Sequence, residues 1–86
     1  MKLNEYQIQA KNTAIYPKDK AVVYPALGLA GEAGEVANKV KKVLRDRTEI
    51  KDVSKDIAYE IGDCLWYISL LADDIGWDLE SIAKLN

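Results

Sequence analysis

Apolar residues recur along this chain at intervals of three and four, the spacing of a buried helix face, and nowhere alternate as a strand requires. Asn4 is placed to cap a first helix over about residues 5–15, with Tyr6, Ala10 and Ala14 facing inward. The stretch from Tyr16 to Lys20 ends it, because Pro17 disfavours helical backbone in the residue before it. Pro25 suits the first turn of a second helix reaching about residue 45, with an apolar seam of Leu29, Ala33, Val36, Val40 and Val43. A polar loop over 46–52 follows, and Ser54 caps a third helix reaching about residue 75. Its main face is Ile57, Ile61, Cys64, Leu65, Ile68 and Ala72. Trp66, Leu70 and Leu71 make it apolar almost all round, so it should be central and buried. Gly76 ends it and Asp78 caps a fourth helix, whose seam opens with Leu79, Ile82 and Ala83. The pattern is still running at Asn86, so truncation of the fourth helix is one expectation. The fold class is all-α, a four-helix bundle or half of a larger one.

With 86 residues the chain is expected to form one domain, near the size at which a single core gives marginal stability. Self-association is the expected remedy. The formal charge of −2 argues against a protein that coats nucleic acid by net attraction. The N-terminal MKLNEYQIQA lacks the apolar core of a signal peptide. The longest nearly apolar run, residues 64–72, is far short of the roughly 20 needed to cross a bilayer. No membrane partner and a cytoplasmic location are therefore expected. A single cysteine excludes an internal disulfide, and Cys64 reads as a buried inert thiol. The absence of histidine removes serine triads, zinc fingers and histidine-bearing di-iron sites.

The stretch GLAGEAGEV, residues 28–36, does not fit an ordinary helix. It repeats glycine, the poorest common helix former after proline, at 28, 31 and 34, and places Glu32 and Glu35 between and after them. Glu32 and Glu35 share one helix face, and Glu60 and Asp63 repeat the spacing on the third helix. The two pairs are equidistant from the bond joining Arg47 and Thr48, so an antiparallel hairpin would bring four carboxylates together. Clustered carboxylates repel one another and need cations or protons. Oxygen ligands without His or Cys select Mg²⁺, with Mn²⁺ as substitute, and Mg²⁺ commonly completes its shell with water and substrate phosphates. The alternative is a salt-bridged surface with Lys39, Lys41 and Lys42 as partners. The pattern alone leaves both open.

Glu32-x-x-Glu35 followed by Glu60-x-x-Asp63 resembles the MazG-type nucleoside triphosphate pyrophosphohydrolases, as do the flanking LGLAGEAGEVANKVKK (27–42) and EIGDCLWYISLLADDIGWDLESIAKLN (60–86). The likeness covers roughly residues 16–86. It implies a MazG-like helical bundle completed by homodimer or homotetramer formation, which cleaves a (deoxy)nucleoside triphosphate to the monophosphate and pyrophosphate. It places Glu32, Glu35, Glu60 and Asp63 at Mg²⁺-ligand positions and Tyr67 against the nucleotide. Lys84 and Asn86 resemble the start of a terminal basic segment that contacts substrate, of which the later part is missing. Glu35 or Glu60 would accept the proton of the attacking water, and Lys39 or Lys42 would touch phosphate. Trp66 points away from Glu60 and reads as core or subunit interface; Trp77 fits either core or base stacking. On this reading the glycines keep the second helix slim for a close neighbour or the nucleotide. Two rivals remain: a non-catalytic interaction module using the acidic stripe, and a same-fold enzyme acting on phosphoribosyl-ATP or dUTP.

Overall fold

Four α-helices and a short 3-10 segment make up the computed structural model, which describes residues 1–86. α1 spans Leu3–Asn12, α2 Val23–Asp46, α3 Ile50–Asp74 and α4 Leu79–Leu85, with the 3-10 segment at Lys18–Lys20. There is no strand, as the periodicity requires. α2 and α3 fold back on each other as a long hairpin; α1 packs on α3, and α4 rests on α1.

The boundaries differ from the sequence pattern where polar residues mislead. α3 begins at Ile50, well before Ser54, and the Asp52 carboxylate accepts the Glu49 amide at 3.3 Å. The polar residues read as loop are the solvated first turn of an amphipathic helix. The connection shrinks to Arg47–Glu49, centred on Thr48, with Arg47 in the left-handed region at φ 56°. α1 begins at Leu3, so Asn4 lies in its first turn. Asn4 instead serves α4: its side-chain oxygen accepts the Glu80 amide at 3.0 Å, and its own amide donates to Glu80 Oε2 at 3.2 Å. Pro25 is the third residue of α2, where an absent N–H still costs no helical bond.

Gln7 on α1 is the lock that the apolar pattern could not show. It is buried, its Nε2 donates to the carbonyls of Ser69 (3.2 Å) and Trp77 (2.9 Å), and its Oε1 accepts the Leu79 amide at 3.1 Å. Gly76, at φ 84°, ends α3 where a side chain would be strained. Asp78 caps α4 by accepting from Ser81 N (3.0 Å) and Ser81 Oγ (2.7 Å), as expected.

α3 is central but not buried all round. Leu70 is 2% exposed and Ala72 3%, facing the core, whereas Ile61 is 55% and Ile68 38% exposed. α1 and α2 cover two sides of α3 and leave a third flank bare. Val40 and Leu44 on α2 are exposed too, so the hairpin carries an uncovered apolar surface. Only eight of 86 residues are buried, a thin core for a chain of this length.

Candidate metal centre

Glu32 comes from α2 and Glu60 and Asp63 from α3, and each places one carboxylate oxygen within 4.8 Å of the others'. Residue 32 lies about as far before Thr48 as residue 63 lies after it, so the short turn sets Glu32 level with Asp63, with Glu60 one helical turn nearer the connection. Glu32 and Glu60 are half-buried and Asp63 is exposed. Partial burial first, then the Asp63 charge and a hydrogen bond shared with Glu60, push the Glu32 carboxyl above its usual range. The site holds more negative charge than its own surroundings offset.

No lysine relieves it. The ion pairs of the molecule are Lys11–Asp73, Lys20–Asp19, Arg45–Asp46 and Lys51–Glu49, none involving these acids. Lys39 is half-buried and Lys41 and Lys42 are exposed, all three unpaired, so the structure gives no support to a salt-bridged surface.

Glu35 lies one turn along α2, exposed and outside the group of three, though close enough for its charge to add to the rise at Glu32. Glu35 thus stays outside although Glu60 and Asp63, at the same three-residue spacing on α3, both join the group. Lys84 and Asn86 are exposed at the end of α4, the helix resting on α1, and pair with none of the four acids.

Tyr67 is half-buried directly under Gly28, where an added Cβ would collide with the tyrosine ring. Gly28 is therefore required by close packing. Gly31 and Gly34 are not: nothing lies within 4 Å of where their Cβ atoms would be. The Tyr67 ring meets Trp66 edge-on at 5.0 Å between centroids and Tyr24 at 6.2 Å. Burial, then a hydrogen bond with Tyr24, then the charges of Tyr24, Glu32 and Asp63 raise its hydroxyl pKa. Trp66 is half-buried, with Nε1 donating to Thr13 Oγ1 at 2.8 Å. Burial and the neighbouring carboxylates also hold the half-buried Cys64 thiol protonated, in keeping with an inert role. Tyr6, read only as core, proves to lie near Asp63, whose charge joins burial in raising its hydroxyl pKa.

The model of the MazG nucleotide pyrophosphohydrolase domain matches residues 25–86, the hairpin from the third residue of α2 onward and α4. The chain belongs to the MazG family. It is also 39% identical to the Gene 37 protein of Mycobacterium phage L5, over the whole of this chain and 82% of that protein. No solved structure matches it. MazG proteins are generally metal-dependent nucleotide pyrophosphohydrolases, and the donor set here fits a hard divalent ion: three carboxylate oxygens, no nitrogen or sulfur, and no competing cation. No helix is long and apolar enough to cross a membrane.

Proposed function

We propose that this MazG-like domain hydrolyses a (deoxy)nucleoside triphosphate between the α- and β-phosphates, releasing the monophosphate and pyrophosphate, with Mg²⁺ as cofactor and Mn²⁺ as substitute. The observation that carries the reading is the convergence of Glu32, Glu60 and Asp63 without a cationic partner. These three would hold the ion. When bound, Mg²⁺ offsets phosphate charge and orients water for in-line attack. Glu35, exposed one turn away, is free to accept the proton of that water, which favours it over Glu60 as general base. The Tyr67 hydroxyl, whose pKa the charges of Glu32 and Asp63 help to raise, would donate to the sugar or a phosphate oxygen. Lys39, Lys84 and Asn86 would supply further substrate contacts, Lys39 being the nearest of them to Glu35 along the chain.

Incubation with a panel of nucleoside triphosphates plus phosphoribosyl-ATP, with pyrophosphate and orthophosphate assayed separately, tests the reading. Pyrophosphate and a monophosphate, only with Mg²⁺ or Mn²⁺, support it. A diphosphate and orthophosphate overturn it, and no turnover with any substrate favours a non-catalytic acidic module. The exposed Ile61, Ile68, Val40 and Leu44 support a second part of the proposal: the domain is completed as a homodimer or homotetramer that covers these apolar side chains. A stable monomer in light scattering at micromolar concentration contradicts it.

A further inference from the structure

Beside the carboxylates, between α1 and the N-terminal half of α3, runs an open groove of about 670 Å³. Tyr6, Lys55, Tyr59, Gly62, Asp63 and Trp66 line it. We propose that this groove is the nucleobase subsite: the base stacks in it while the triphosphate reaches the acids by way of Asp63, which the groove shares with Glu32 and Glu60. This rests on the proposed nucleotide substrate and names where its base goes.

Four observations carry it. Continuity comes first, since Asp63 belongs to both the acidic group and the groove. Tyr67, by contrast, is already engaged by the fold, packed under Gly28 and against Trp66 and Tyr24. The volume of the groove falls within the range of small-molecule sites, and aromatic side chains line it. Tyr59 is 65% exposed, a large aromatic face that the fold itself does not use. The Trp66 indole N–H is spent on Thr13, so that ring offers stacking and no hydrogen bond.

Gly62 is the fourth. It stands in mid-helix, where glycine costs about 1 kcal/mol relative to alanine, and nothing lies within 4 Å of where its Cβ would be. The fold does not demand it, but a planar ring approaching the backbone would. Lys55 makes no ion pair, and its Nζ lies 6.0 Å from the Tyr59 ring centroid, so it is free to donate to a base nitrogen or carbonyl.

The chain holds two tryptophans, so Trp77→Phe leaves Trp66 as the only indole reporter. In that background, a nucleoside triphosphate with Mg²⁺ should quench Trp66 fluorescence, whereas inorganic triphosphate with Mg²⁺ should not. Adding Tyr59→Ala, or Gly62→Leu to fill the groove, should weaken the nucleotide's apparent affinity roughly tenfold, the scale of one lost base–aromatic stack. Circular dichroism and a retained Mg²⁺-induced melting shift check that each variant folds and keeps its acids in place. Equal quenching by both ligands, or unchanged affinity in both variants, overturns the groove. The two proposals fail separately. Quenching by nucleotide with diphosphate as product leaves the groove standing and removes α–β cleavage. Pyrophosphate release with KM unchanged in both variants does the reverse.

Discussion

Tyr16 and Asp74 lie 58 residues apart, and the tyrosine hydroxyl donates to Asp74 Oδ2 at 2.8 Å. The same oxygen accepts the amide of Val22 at 2.9 Å. Val22 stands at φ 68°, inside a tight turn closed by the Val23 amide on the Ala21 carbonyl at 2.8 Å. A β-branched residue in that region is strained and persists only where its surroundings hold it. One carboxylate thus fastens two points of the α1–α2 connection to the end of α3, and Tyr16 stacks on Tyr24 with ring centroids 4.8 Å apart.

Removing the fastener should cost more than removing one of its donors. Tyr16→Phe is expected to lose about 1 kcal/mol and Asp74→Ala about 1–3 kcal/mol, because the latter also frees the strained turn. Urea unfolding of both variants reads the difference. Equal stability of Asp74→Ala and wild type would show that the contact holds nothing.

Two glycines in one helix should respond with opposite signs. Gly28→Ala drives a methyl group into the Tyr67 ring, an overpacking cost of about 1–3 kcal/mol. Gly31→Ala meets open space and gains helix propensity, up to about 1 kcal/mol. Melting temperatures of the metal-free protein should fall for the first and rise for the second.

That contrast marks how far the sequence could be read. The repeat of glycines was visible, but only the position of Tyr67 separates the one that packs from the two that do not. The helices and their hairpin were legible because 3.6-residue periodicity survives in α2 and α3. The start of α3 was not, since the solvated first turn of a helix has the composition of a loop. The acidic group was legible through its symmetry about residues 47 and 48. The outward turn of Glu35 and the nearness of Tyr6 depend on how helices rotate and cross, which no one-dimensional spacing records. Gln7 was invisible for a related reason, as a polar residue that three backbone groups have drawn into the core.

Glu60→Gln separates catalysis from stability. It keeps the side-chain shape and removes one of three crowded charges, so the metal-free variant should be as stable as wild type or more so. Turnover should be lost. Mg²⁺ binds the folded site and not the unfolded chain, so it should raise the wild-type melting temperature by mass action and the variant's much less. Equal Mg²⁺ shifts in the two proteins would remove Glu60 from the site.

Acidification should stabilise the metal-free protein through Glu32. A carboxyl whose pKa is raised on folding binds more protons in the folded state than in the unfolded one. Its contribution to stability therefore falls as pH rises from the ordinary value of 4.5 through the raised one, and is gone above it. Replacing Glu32 with Gln should flatten that part of the melting-temperature profile. A wild-type profile no steeper than that of Glu32→Gln as pH rises above 4.5 would contradict the crowding described here.

The bonds of Gln7 span 62 to 72 residues, whereas the α2–α3 hairpin closes through a three-residue turn, Arg47–Glu49. Local contacts form early in folding and distant ones wait for loop closure. α1, synthesised before the hairpin, is therefore expected to dock after the hairpin has closed, held in suspense until Leu79 has been synthesised. The acids of the hairpin meet before α1 arrives with Tyr6. Pulse-labelled hydrogen exchange during refolding should find the Leu79 amide protected after the middle of α3, and simultaneous protection would refute that order.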